Sequence, residues 1–101
     1  MDWSTGGKKR LSSGTKTEIS ALLNEAMAII YGDREQTYGD PGKNMAVIAG
    51  MWSAYLGVEV TSKDVCNLMI CLKVARLRNT PDHHDSKVDI VGYSLLRERV
   101  K

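Results

Sequence analysis

Apolar residues recur three and four positions apart through most of this 101-residue chain. This spacing is typical of amphipathic helices, and no segment shows the strict alternation of a strand. The pattern predicts helices over residues 17–30, 42–56, 64–78 and 85–99, joined by short connections. Four such helices predict an all-α fold, a compact four-helix bundle.

Residues at the helix ends support these boundaries. Thr15–Glu18 and Thr61–Asp64 have the spacing of a capping box, in which each side chain bonds the other residue's backbone. Gly32 suits the left-handed position that ends the first helix, and Gly57 is expected to stop the second. The polar stretch Tyr31–Pro41 predicts a loop with a turn beginning at Gly39.

The third predicted helix is apolar on nearly every face. A helix that is hydrophobic all round is usually buried, so we expect this one within the core. Its two cysteines, Cys66 and Cys71, do not share a face. They are expected to be small core residues in a reducing compartment, not a disulfide or a metal pair.

Two cations on the third helix face two carboxylates on the fourth. Lys73 and Arg76 are one turn apart, whereas Asp85, Asp89 and Tyr93 follow each other at four-residue intervals along one face. Because a short loop joins the two helices, we expect them to be antiparallel. The residue numbers of two facing positions then add up to a nearly constant value. This register predicts that Arg76 pairs with Asp85, and Lys73 with Asp89.

These pairs have two interpretations. They are either salt bridges that fix how the helices pack, or the charged wall of a cavity that binds a ligand. Buried ion pairs rarely stabilise a fold more than apolar residues would, which favours the cavity. Tyr31, Arg34, Tyr38 and Asn44 add residue types that stack on bases and bind phosphates or ribose hydroxyls. The alternative is a polar loop whose tyrosines pack on the end of the bundle.

The histidine pair His83 and His84 precedes the last helix, beside Asp82 and Asp85. A metal site through these histidines would need ligands that the chain does not supply nearby. We therefore expect no metal and no cofactor, and we expect His84 to cap the helix or contact a ligand.

Positive charge is concentrated at the start of the chain. The first sixteen residues carry a net charge of +3 and the remaining residues carry −1, which together give the net +2. A nucleic-acid-binding domain would show a basic patch, so nucleic acid is not an expected partner. We predict a flexible basic tail over residues 1–16 and a single helical domain over 17–101. No apolar run is long enough to span a membrane, and the first residues lack the apolar region of a signal peptide. The sequence therefore predicts a cytoplasmic protein.

Four motifs, YGDPGKNM, WSAYLG, DVCNLMICLKVARL and TPDHHDSKVDIVGY, resemble a family of small phage and prophage proteins of unknown function. The resemblance covers about residues 18–98. The residues of this chain that match the pattern of the family are Tyr38, Gly39, Pro41, Trp52, Tyr55, Lys73, Arg76, His84, Asp85, Ser86, Asp89, Gly92 and Tyr93. His84 lies one residue away from the position that the H-x-D part of the pattern requires.

More distantly, the chain is similar to the all-α nucleotide pyrophosphohydrolases of the MazG type. Those enzymes hold magnesium between acidic pairs on adjacent helices. Here Asp85 and Asp89 keep one acidic face, but Lys73 and Arg76 stand where the opposing acids belong. Magnesium needs several oxygen ligands, and two cations would repel it. The resemblance therefore implies a pocket that holds a nucleotide without cutting it.

Three functions remain open. The favoured one is a phage-derived nucleotide sponge that sequesters a cyclic nucleotide or an ADP-ribose derivative and so blocks host anti-phage signalling. The alternatives are a magnesium-dependent pyrophosphohydrolase, with a further acid from Glu18 or Glu25, and a ligand-free protein-interaction module. The predicted ligand-binding residues are Tyr31, Arg34, Tyr38, Asn44, Lys73, Arg76, His84, Asp85, Asp89 and Tyr93.

A homo-oligomer is expected in each case, because a chain of this length has a limited core. Met51, Trp52 and Tyr55 are the residues expected between subunits.

Overall fold

A computed structural model of the chain describes residues 14–31 and 39–101. Within these ranges the chain forms four helices and no strand, which confirms the all-α prediction. The helices are α1 (Lys16–Tyr31), α2 (Pro41–Leu56), α3 (Ser62–Asn79) and α4 (His84–Leu96). The predicted flexible tail lies outside the described residues, apart from its last three positions, and so does most of the predicted 31–41 loop.

Both predicted capping boxes are present. The Thr15 hydroxyl accepts from the Glu18 amide at 3.1 Å, and Glu18 Oε1 accepts from the Thr15 amide at 3.1 Å. At the start of α3, the Thr61 hydroxyl accepts from the Asp64 amide at 3.1 Å, and Asp64 Oδ2 accepts from the Thr61 amide at 2.9 Å. These hydrogen bonds from Thr61 favour the ionised carboxylate and lower the pKa of Asp64.

The ends of α2 follow equally local chemistry. Asp40 is its N-cap, and its carboxylate accepts from the Gly42 amide at 3.2 Å. Pro41 occupies the first helical position, where its missing N–H costs nothing, so α2 begins one residue earlier than predicted. Gly57 ends the helix as predicted, and it does so in the left-handed conformation at φ 73°, which glycine adopts without strain.

The helices pack in the spatial order α1, α4, α3, α2, so α4 lies between α1 and α3. Arg97, just past α4, acts electrostatically on Asp64 at the start of α3, while Lys73 pairs with Asp89, so these two helices are antiparallel as predicted. The core cluster consists of Ile30, Met45, Ala49, Val65, Cys66, Leu96 and Val100.

The prediction that the third helix is buried on all sides is wrong. On α3 only Val65 and Cys66 are buried, while Leu68, Val74 and Cys71 are exposed. Its apolar residues are spread around the axis, and its main neighbours α2 and α4 leave many of them exposed. Cys71 is on an exposed part of α3, so it is not the core residue that we expected.

None of the described helices is long and apolar enough to cross a membrane.

Candidate functional site

A cavity of about 280 Å³ lies where all four helices approach each other. Its described lining combines apolar side chains, three backbone positions at glycine or proline, and four polar side chains. The lining residues are Ile29, Ile30, Gly39, Pro41, Asn44, Met45, Lys73, Asp89, Gly92, Tyr93 and Leu96. We call this space the central cavity. It brings together four of the ten predicted ligand-binding residues, namely Asn44, Lys73, Asp89 and Tyr93.

One of the two predicted ion pairs forms the charged wall of the central cavity. Lys73 Nζ lies 2.9 Å from Asp89 Oδ2, and the two side chains are 12% and 25% exposed. The pair is thus largely shielded from water, which strengthens the attraction between the two charges. Removing one partner would leave the other charge shielded and unpaired, which would destabilise the fold. A cation and an acceptor side by side can bind a ligand that carries both an anionic group and a donor group.

The predicted pairing of Arg76 with Asp85 is wrong. Both side chains are exposed and line different surface depressions, Arg76 beside Thr80 and Asp85 beside Glu25. A helix turns by about 100° per residue, so Arg76 is rotated by about 60° from Lys73 around α3. The rotation that points Lys73 at α4 therefore turns Arg76 towards solvent.

The end of α1 is fixed by Arg99, a residue that the sequence did not single out. Arg99 Nη1 donates to the carbonyl of Ile30 at 2.9 Å, and Nη2 donates to Asp40 Oδ1 at 3.1 Å. The guanidinium also lies 4.6 Å from the centre of the Tyr31 ring. Arg99 thus joins the end of α1 to the start of α2, beside two walls of the central cavity. The contacts span about two thirds of the chain, so no local pattern could reveal them.

Tyr31 itself does not line the central cavity, and it is the last residue of α1 with 58% of its surface exposed. The predicted site residues Arg34 and Tyr38 lie outside the described residues.

The two histidines divide the roles that were expected of His84. His83 caps α4, because its Nδ1 accepts from the Ser86 amide at 3.3 Å and lies 2.7 Å from the buried Ser86 hydroxyl. His84 Nε2 lies 2.7 Å from Glu25 Oε2 and joins α4 to α1. The prediction that His84 caps the helix is therefore wrong. The side chain of His84 instead contacts Glu25 of the same chain. Within the described ranges, no three His, Cys, Asp or Glu side chains are grouped closely enough to hold a metal ion.

A second depression shares Ile29 and Asp89 with the central cavity. It is lined by Glu25 and Asp85 as well as Asp89, with a volume of about 410 Å³. Glu25 is the acid from the first helix that the pyrophosphohydrolase alternative needs. Its carboxylate is held by His84, however, and that of Asp89 by Lys73.

Gly92 lines the central cavity, and its backbone conformation does not require glycine. It lies in the interior of α4, where glycine is unfavourable relative to alanine. A Cβ added there would meet the Ala26 carbonyl oxygen at 4.0 Å, an ordinary contact. The packing of α1 therefore does not require glycine at this position, and the missing side chain leaves more room in the central cavity. The motif D-x-x-G-Y had marked this residue in the sequence but gave it no role.

The architecture is thus an all-helical domain with a small, partly charged cavity. Residues 21–101 match the domain of unknown function DUF6378, and the chain belongs to that family. It is 42% identical over 80 residues to the gene 55 protein of Mycobacterium phage D29, and 44% identical over 82 residues to that of Mycobacterium phage L5. These alignments cover 79% and 80% of the chain.

These findings confirm the predicted resemblance to a phage family of unknown function. The aligned region covers 53% of each relative, so the chain spans about half the length of the curated relatives it matches. No solved structure matches the chain. The comparisons do not show the more distant similarity to MazG-type enzymes.

Proposed function

We propose that this phage-family protein binds a nucleotide in the central cavity and sequesters it without hydrolysis. The observation that carries the proposal is the shielded Lys73–Asp89 pair on the cavity wall, at 2.9 Å. An ion pair that served packing alone would need no cavity beside it. The cavity also places the Asn44 amide and the Tyr93 ring on the same space.

Each polar group of the cavity matches a part of a nucleotide. The Lys73 ammonium would bind a phosphate, and the Asp89 carboxylate would accept from a ribose hydroxyl or a base amine. Tyr93 offers an aromatic face for the base. The volume of about 280 Å³ is at the small end of the roughly 300–1,000 Å³ of ligand pockets, so it suits one nucleotide unit.

The biological role follows from the ligand class and from the family's occurrence in phages. Infected hosts signal with cyclic nucleotides and ADP-ribose derivatives, and a phage protein that sequesters such a signal needs tight binding and no catalysis. The ligand class that we propose is therefore a cyclic nucleotide or an ADP-ribose derivative, with its phosphate on Lys73.

A thermal-shift screen of these nucleotides in the absence of magnesium tests the proposal. A ligand at one hundred times its Kd stabilises the fold by about 2.7 kcal/mol. For a domain of this size that is roughly a 10–20 °C increase in Tm. The bound nucleotide should be recovered chemically intact by chromatography. If no nucleotide shifts the Tm, the protein-interaction module becomes the better explanation.

Variants locate the binding in the central cavity. Lys73→Met and Asp89→Asn should each weaken nucleotide binding at least tenfold, because the first removes the positive charge from the cavity wall and the second removes the negative charge. Arg76→Met is the matched control, since it removes a cation one turn along the same helix but outside the cavity. Binding by K73M and D89N that equals the wild type would refute the central cavity as the site.

The pyrophosphohydrolase remains a second candidate because Glu25, Asp85 and Asp89 line one depression. An enzyme of this kind would release pyrophosphate from a nucleoside triphosphate only with magnesium, and Glu25→Gln would abolish the release. A sequestering protein would release none under any condition. The two functions are thus separated by one assay on the wild-type protein.

A further inference from the structure

A depression of about 330 Å³ lies at the turn between α3 and α4, and the proposed nucleotide site does not use it. It is lined by Arg76, Asn79, Thr80 and His83. We call this space the turn depression. Among the described residues, its lining shares none with the central cavity or with the depression beside Glu25. It is therefore a separate candidate for a ligand.

The turn depression differs from the other two spaces in its charge. Its described lining contains one permanent cation, Arg76, and no carboxylate, whereas Asp89 lines both other spaces. Asp85, the predicted partner of Arg76, lines the second depression instead. No carboxylate on its described wall thus neutralises the cation of the turn depression. A concave surface lined by positive charge alone attracts anions.

The backbone of the turn uses its own acceptors. The Thr80 amide donates to the carbonyl of Arg76 at 3.0 Å, and the His83 amide donates to the carbonyl of Thr80 at 3.0 Å. These two hydrogen bonds hold the end of α3 and the start of α4 in one arrangement. Because both carbonyl oxygens are engaged, the side chains decide what the turn depression offers a ligand.

These side chains supply hydrogen-bond donors. His83 caps α4 through Nδ1, which accepts from the Ser86 amide at 3.3 Å. A neutral imidazole that accepts at Nδ1 carries its proton on Nε2, so the remaining ring nitrogen is a donor. The guanidinium of Arg76, the hydroxyl of Thr80 and the amide of Asn79 can each donate as well. One positive charge and four donor side chains thus line the same space.

We propose that the turn depression binds a phosphate group. A phosphate group carries at least three oxygens that accept hydrogen bonds strongly, against two in a carboxylate, which suits four donor side chains. The planar guanidinium of Arg76 can bind two of these oxygens at once. The helix dipoles add little to this site, because α3 ends where α4 begins and their opposite partial charges meet at the turn.

This proposal does not rest on the nucleotide site. The two spaces have no described lining residue in common, so phosphate binding at the turn and nucleotide binding in the central cavity can each hold without the other. R76M should therefore lose phosphate binding at the turn and keep the nucleotide-dependent increase in Tm.

An NMR titration of the isotope-labelled protein with inorganic phosphate, at constant ionic strength, tests the proposal. The amide signals of Thr80 and His83 and the side-chain N–H signal of Arg76 should shift and saturate. R76M should weaken this binding at least fivefold. Arg78→Met is the matched control, because it removes the same charge from the same helix at an exposed position outside the turn depression. Equal phosphate affinity of R76M and the wild type would overturn the proposal, and so would shifts confined to the central cavity.

A second variant tests the other end of the site without losing the helix cap. Aspartate is among the preferred N-cap residues, so His83→Asp keeps the start of α4 but puts a negative charge where the donor was. We expect H83D to weaken phosphate binding at least tenfold while the helical circular dichroism is retained. A folded H83D variant that binds phosphate as the wild type does would contradict the site.

The same titration with other anions identifies the form of the ligand. Free phosphate and a phosphate ester present the same terminal oxygens, so phosphoserine is titrated beside inorganic phosphate. Tighter binding of phosphoserine would support an organic phosphate as the ligand, and the reverse order would support the free ion. Acetate that binds as tightly as inorganic phosphate would overturn the assignment to phosphate.

Discussion

At the scale of single residues, Asp64 shows how a local contact becomes a pH dependence. Its carboxylate accepts hydrogen bonds at the start of α3, which lower its pKa in the folded protein below the ordinary value of 3.8. The ionised form therefore stabilises the fold above that pH, and this contribution is lost as pH falls through the lowered folded-state pKa.

We predict that Asp64→Asn lowers the free energy of unfolding at pH 7 and has progressively less effect towards pH 2. Urea unfolding of both proteins across this range measures the difference. Glu59→Gln controls for the change in net charge, because Glu59 is an exposed carboxylate just before α3 that is not part of its capping box. An effect of D64N that is the same at pH 2 as at pH 7 would contradict the capping role.

The two cysteines should differ sharply in reactivity. Cys66 is 0% exposed, and burial raises the pKa of its thiol, whereas Cys71 is exposed. Because the thiolate is the reactive form, we predict one adduct with a maleimide under native conditions, on Cys71, and a second only after unfolding. Mass spectrometry of the intact wild type and of Cys71→Ser counts the adducts. Rapid native modification of C71S would show that Cys66 is accessible.

At the scale of helices, the Lys73–Asp89 pair should couple α3 to α4, whereas Arg76 and Asp85 should not. A double-mutant cycle with K73M and D89N should give a coupling free energy of about 0.5–1 kcal/mol, since both side chains keep some contact with water. The same cycle with R76M and Asp85→Asn should give a value near zero, because these two residues line separate depressions. Comparable coupling in both cycles would contradict the register described here.

Two helical glycines give a matched test of the central cavity. Gly50→Ala and Gly92→Ala should each stabilise the fold by about 0.5–1 kcal/mol, because alanine favours the helix and neither new Cβ meets an atom closer than 4.0 Å. Only Gly92 lines the cavity, so only G92A should also weaken nucleotide binding. A G92A variant that lowers Tm would show that α1 and α4 leave no room there.

At the scale of the whole molecule, the central cavity depends on all four helices, because each of them contributes lining residues. Arg99 joins the end of α1 to the start of α2 beside this cavity.

The expected contribution of Met51, Trp52 and Tyr55 to an interface stays a prediction. Trp52 packs partly against the core of its own chain, while Met51 and Tyr55 are 63% and 89% exposed. Position along a helix could not distinguish these cases, because it does not show which side of α2 faces α3.

The sequence by itself determined the four helices and the chemistry of most of their ends. Capping boxes, Pro41 and Gly57 act within a few residues, so their effects follow from spacing alone. The antiparallel register of α3 and α4 offered two charge pairs, of which only Lys73 with Asp89 forms. Only the tertiary structure decided which residues of each helix are buried, which of the paired charges meet, and that Arg99 holds the end of α1. Those outcomes depend on the rotation and neighbours of each helix, which are set by contacts between residues far apart in the chain.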